Sequence, residues 1–227
     1  MIAIILIAGN FVRENRWPMM SLLAYVLLFG GVTVFSSSNP DDVVFFLRSV
    51  GVYGLAFTAL MSASGIHNER RSRRLLAVLS KGIERRQYLC GLLLGAMFDA
   101  AIYSVAIGAM GSFSSRGAEV ATVWELVVAL LASFLLAGTV ALFFSTFLHP
   151  VMAVLATALT LGVIAAAGRL VGDVFPSYAL AQAMLGFGVE GWTAPWGACA
   201  WAVGWALLFG FMAAAVFAGR DLAVAVE

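Results

Sequence analysis

The sequence predicts an all-α integral membrane protein of six transmembrane helices, and three observations predict it. Of 227 residues, 63% are hydrophobic and 11% are charged, whereas soluble domains carry about a quarter charged residues. The mean hydropathy is +1.00. The apolar residues also gather into six long runs, each near the ~20 residues an α-helix needs to cross a hydrocarbon core of roughly 30 Å. Backbone groups inside lipid must find their partners within the segment, which makes each run a helix. Residues 1–227 therefore read as a single membrane domain, without a soluble insertion, an internal repeat or a low-complexity tail.

The chain opens MIAIILIAGNFVRENRW, which lacks the basic start and small-residue cleavage site of a signal peptide. Its apolar run, Met1 to Ala8, is too short to span. Residues 1–16 are expected to form an N-terminal interfacial helix with Arg13 and Arg16 toward the headgroups, a truncated crossing being the alternative. The six crossings are expected at about residues 17–35, 43–65, 88–113, 123–148, 151–171 and 195–218. Turn chemistry separates several of them: SSSNPDD, SFSSRGAE, HP and GDVFPSY. The connection 172–194 contains YALAQAMLGF, read as a short re-entrant or interfacial helix or as an ordinary loop.

Orientation follows from Lys and Arg in the short loops. With the N-terminus inside, Arg13, Arg16, the 70–86 cluster and Arg220 are all cytoplasmic, and the loop SSSNPDD carries two acids and no base. Both termini are thus expected in the cytoplasm and the 172–194 connection outside. Net charge is +1, so the total says nothing about partners and only the distribution does. Cys90 and Cys199 fall in opposite leaflets in this topology, too far apart for a disulfide.

Seven of the thirteen Lys and Arg residues lie between Arg70 and Arg86, in the cytoplasmic loop 66–87. A positive-inside bias alone accounts for a basic loop. It does not account for Leu75, Leu76, Leu79 and Ile83 at helical spacing, which predict a short amphipathic helix outside the membrane. Arg70, Arg71, Arg73 and Arg74 crowd its start, where cations oppose the helix dipole; acidic headgroups or an acidic protein surface would offset that. Gly82 supplies a break. A helix held by two crossings suits docking into a groove on a soluble partner.

The stretch ERRSRRLLAVLSKGIERRQYLCGLLLG, residues 69–95, resembles the signature region of ABC-2 type permeases, the membrane subunits of ATP-binding-cassette exporters. Glu69, Leu75, Leu76, Leu79, Ser80, Ile83, Arg85, Tyr88, Leu89, Gly91 and Gly95 fit that family's pattern. Arg73-Arg74 and Gly82 depart from it, where the family often has Gly-Thr and usually Pro. FVRENRW before the first crossing and FAGRDL closing the last agree with it, so the resemblance covers essentially the whole chain.

The resemblance implies a permease that pairs with a second permease subunit, as a homodimer or heterodimer, and with two copies of a separate ABC ATPase subunit. ATP and Mg would be bound by that partner and no cofactor by this chain, which has no G-x-x-x-x-G-K-[ST] phosphate loop. It also implies the plasma (inner) membrane of a prokaryote, contact with the lipid bilayer, and no nucleic acid partner. The residues expected to couple to the ATPase are Arg70, Arg71, Arg73, Arg74, Leu75, Leu76, Leu79 and Lys81. Glu69 is expected either to pair with a nearby Arg or to be a plain helix-end charge.

Ionisable residues within crossings are costly enough to be functional candidates. Asp99 lies roughly 16 Å into the third crossing at 1.5 Å per residue, and Tyr103 follows one turn on, on the same face. The pair is expected on the translocation path or the dimer seam, or as a structural hydrogen bond between helices. Arg48, Glu125 and Arg169 fall near external helix ends as gate-stabilising or snorkelling groups, with Glu125 able to pair with either Arg. Gly91 and Gly95 have the spacing of close helix packing, and Trp192, Trp196 and Trp201 that of an aromatic belt.

Three other classes find less support in the sequence. For an intramembrane enzyme, His67 and His149 lack the partner spacing of a zinc site, and SASG lacks the strand–turn–helix context of a nucleophile elbow. A secondary transporter is opposed by the absence of repeat symmetry and the sparse intramembrane charge. A membrane anchor recruiting a soluble partner would share the basic helix but need fewer crossings.

Overall fold

The computed structural model describes residues 2–36, 40–71, 83–114, 120–189 and 191–219. Among the described residues every regular element is an α-helix: α1 (Ile2–Glu14), α2 (Arg16–Ser36), α3 (Pro40–Arg71), α4 (Arg85–Ser114), α5 (Val120–Ser145), α6 (Pro150–Val171), α7 (Ser177–Gly186) and α8 (Trp196–Gly219). Six of them, α2, α3, α4, α5, α6 and α8, are long and apolar enough to cross a membrane. This is the architecture of a multi-pass membrane protein.

Proline marks helix starts. Pro40 opens α3, Pro150 opens α6 and Pro18 sits in the first turn of α2, positions where a missing N–H costs nothing. α6 stops at Gly172, whose φ of 95° suits a residue without a Cβ. α1 and α2 form one helical path bent at Asn15, since Asn15 N donates to Phe11 O and Met19 N to Asn15 O.

α5 is the central helix. Over an apolar stretch of 18 residues within it 72% are buried, against 22% in the corresponding stretches of α2 and α6. Its buried positions, from Val123 through Phe134 and Gly138 to Leu142, run round the whole helix, as they must when neighbours surround it. The peripheral helices instead turn large apolar side chains outward, among them Leu28, Phe35, Leu159, Leu170, Leu207 and Phe211. Apolar exposure on that scale fits a surface solvated by lipid rather than water.

Two close approaches fix the packing. A Cβ at Gly54 of α3 would meet the Tyr103 ring and sit 2.6 Å from Phe134 Cζ, so this glycine lets α3, α4 and α5 converge. Gly91 and Gly95 of α4 receive α1: Ile7 lies over Gly91 and Phe11 over Gly95, with the Ile4 and Ala8 carbonyls each 3.0 Å from where a Cβ would be. The glycine pair thus serves close packing as its spacing predicts, and its partner is the N-terminal helix. That helix runs lengthwise along α4 with Ile7, Ala8 and Phe11 buried, while Ile5 and Leu6 on its other side stay exposed.

The crossings depart from the expected bounds in two informative places. α3 runs on to Arg71, through the polar HNERR, because a helix that leaves the apolar layer can keep its own hydrogen bonds in water. α5 stops at Ser145, and the apolar Phe147 and Leu148 belong to the turn before α6. The 172–194 connection contains the ten-residue helix α7.

Candidate functional site

The expected coupling residues lie largely outside what is described. The backbone of Glu69, Arg70 and Arg71 forms the last turn of α3, while Arg73, Arg74, Leu75, Leu76, Leu79 and Lys81 fall in 72–82, outside the described residues. The far flank of that segment is anchored. Arg85, the first residue of α4, donates to the Ala218 carbonyl at 3.1 Å and the Phe217 carbonyl at 3.5 Å, a cation at the C-terminal end of α8 where the dipole favours it. One turn on, Tyr88 stacks on Phe217 with ring centres 6.0 Å apart. These contacts link residues about 130 apart in sequence, and the sequence singles out Arg85 only as a family match.

In the middle of the bundle Asp99 is 6% exposed, and its Oδ2 has no hydrogen-bond partner among the described residues. Tyr103 Oη donates to the Val50 carbonyl at 2.7 Å. Asp99 and Tyr103 line one small cavity with Phe11 of α1 and Thr58 and Met61 of α3, with room for about one water. One turn from Thr58, the Ser62 hydroxyl is also buried without a partner. Asp99 therefore faces the interior of this chain, between α1, α3 and α4, rather than its outer surface.

The three residues expected at an outer gate gather at the α7 end but do not pair with each other. Arg48 Nη2 donates to the Phe187 carbonyl at 2.8 Å, and Glu125 Oε2 accepts from Ala194 N at 3.4 Å. Between them these bonds hold both ends of the connection from α7 to α8. Trp192 adds a third restraint, donating from Nε1 to the Ala183 carbonyl at 2.8 Å and packing edge-on against Phe187. Arg169 is exposed at the end of α6, and among the described residues no ion pair joins Glu125 to either Arg.

Under α7 a cavity of about 180 Å³ opens between α3, α5, α6 and α7, lined by Gly51, Leu55, Phe134, Leu161, Leu180 and Met184, with Ser133 and Ser177 as its hydroxyls. Among the described residues the site is an apolar bundle with one buried carboxyl midway along α4, a clamped connection at one end, and the end of α3 with Arg85 of α4 at the other. No model of a known protein family matches the chain, and no curated protein matches it.

Proposed function

We propose that the chain is the membrane-spanning permease subunit of an ATP-binding-cassette exporter of the ABC-2 type. It would work with a second permease subunit and two copies of a separate ATP-binding subunit that binds ATP and Mg. The observation that carries this reading is the position of ERRSRRLLAVLSKGIERRQYL, strung between the second and third of six candidate spans. The basic residues on this segment and around both termini support a cytoplasmic placement for it, in a prokaryotic inner membrane, with α7 outside.

The packing suits force transmission from such a segment. α3 and α4 have 32 and 30 residues, about 48 and 45 Å of helix, more than a core of roughly 30 Å requires. A push on residues 70–82 would reach both helices at once. The Tyr103–Val50 bond and the Gly54 contact hold α3 and α4 together, and Arg85 holds α4 to α8, so the displacement would pass into the bundle instead of dissipating locally. The cavity beneath α7 is lined almost wholly by apolar side chains, which favours a lipidic or amphipathic cargo over a small ion.

A secondary transporter is the second reading, and the observation that favours it is the buried carboxyl of Asp99 beside Thr58 and Tyr103. Copurification separates the two. The permease reading expects the chain to bring down an ATP-binding-cassette ATPase and to move substrate in proteoliposomes only with ATP. Transport driven by an ion gradient without nucleotide would replace it with the secondary-transporter reading.

A further inference from the structure

The chain has two histidines, and the fold brings them together from 82 positions apart. His67 is near the end of α3, and His149 is in the turn between α5 and α6. Their ring centres are 5.1 Å apart with planes inclined at 69°. Both side chains are exposed, and neither imidazole makes a hydrogen bond with another described residue. His149 is the N-cap of α6 yet leaves its side chain out of the cap, and its backbone is fixed by Pro150 behind it. Among the described residues the ring nitrogens have no partner, and Pro150 restrains the backbone that carries the His149 ring.

We propose that His67 and His149 form a two-imidazole site for a borderline divalent metal ion of the Zn²⁺ class, completed by water. A tetrahedral ion takes imidazole nitrogens at about 2.0–2.1 Å. With the metal on the outward axis of each ring, that bond length and a tetrahedral angle set the ring centres about 5 Å apart. The observed 5.1 Å spacing matches, so the two rings stand at the separation that a shared ion requires. Among the described residues no group of three or more His, Cys, Asp or Glu side chains converges, so the site keeps open positions and binds more weakly than a closed structural zinc centre. Imidazole suits Zn²⁺, Ni²⁺ and Cu²⁺, while Mg²⁺ and Ca²⁺ prefer oxygen donors.

Occupancy would tie the last turns of α3 to the α5–α6 turn, next to the point where α3 leads into residues 72–82. The site does not rest on the permease reading. It follows from the two rings alone.

The experiment is a Zn²⁺ titration of the full chain in detergent, purified on an affinity tag without histidine and read by competition with a chromogenic chelator. The expected result is one saturable ion per chain, with affinity reduced about tenfold or more in His67→Ala and in His149→Ala, and no saturable site left in the double variant. His67→Gln, which keeps size and polarity, should lose affinity equally. Chromatographic profiles identical to the parent show that the exposed substitutions leave the fold intact. Zn²⁺ should also raise the melting temperature of the parent and not of the double variant, since a ligand bound only to the folded state stabilises it. Absence of saturable binding by the parent, or undiminished binding by the double variant, overturns the site.

Discussion

Tyr103 Oη donates a 2.7 Å hydrogen bond to the Val50 carbonyl, pinning α4 to α3 one helical turn from where Gly54 lets the two touch. Tyr103→Phe removes the bond and leaves the ring packing in place. The expected cost is about 0.5–1.5 kcal/mol. Gly54→Leu should cost considerably more, because its side chain would meet both the Tyr103 and Phe134 rings. Thermal unfolding in detergent measures both, and equal stability of the two variants would contradict the packing described.

The seating of α1 on α4 makes a second prediction. At Gly95 an added Cβ would lie 3.0 Å from the Ala8 backbone carbonyl, which cannot rotate aside as a side chain could. Gly95→Leu should displace α1 and raise hydrogen exchange across residues 2–14. Gly9→Leu is the control, since a Cβ there meets nothing within 4 Å, and it should leave exchange unchanged.

The connection from α7 to α8 is held from both ends by Arg48 and Glu125. Arg48→Met should free the Phe187 carbonyl and speed limited proteolysis within residues 187–195. Global stability should fall by only about 1–2 kcal/mol, since one charge-assisted bond is lost. Unchanged proteolysis would mean that Trp192 and Glu125 hold the connection without Arg48.

Most of the architecture was legible because lipid imposes strong rules: six apolar runs became six long helices, and YALAQAMLGF became α7. The helix ends were less so. Nothing in an apolar count says that α3 continues through HNERR or that Phe147 and Leu148 turn. The Gly91 and Gly95 spacing announced a close contact, but any helix could have supplied the other side, and α1 did. Arg48 and Glu125 were readable as charges near helix ends, yet their partners are backbone groups 139 and 69 residues away, and a carbonyl carries no sequence signal. The convergence of His67 with His149 depends on how the end of α3 packs beside the α5–α6 turn, which no apolar count gives.

Asp99 is shielded by α1 and α3 beside its own helix α4, with Oδ2 lacking a partner among the described residues. Asp99→Asn keeps the shape and hydrogen-bonding capacity of the side chain while removing its ability to carry charge. Membrane insertion and chromatographic behaviour should match the parent, and transport in proteoliposomes should change. Parental transport by the variant would leave Asp99 as a structural group between helices.

The most direct test of the permease reading is ATP hydrolysis by the complex that reading expects, this chain reconstituted with an ATP-binding-cassette ATPase, comparing the parent with Leu75→Asp and Leu79→Asp. The permease reading seats the leucines of residues 70–82 in an apolar groove, and a charge at either position should prevent that. Both variants should insert normally and lose the stimulated hydrolysis that the permease reading expects of the parent. Full stimulation by Leu75→Asp and Leu79→Asp would contradict the assignment of this segment as the link between membrane domain and motor.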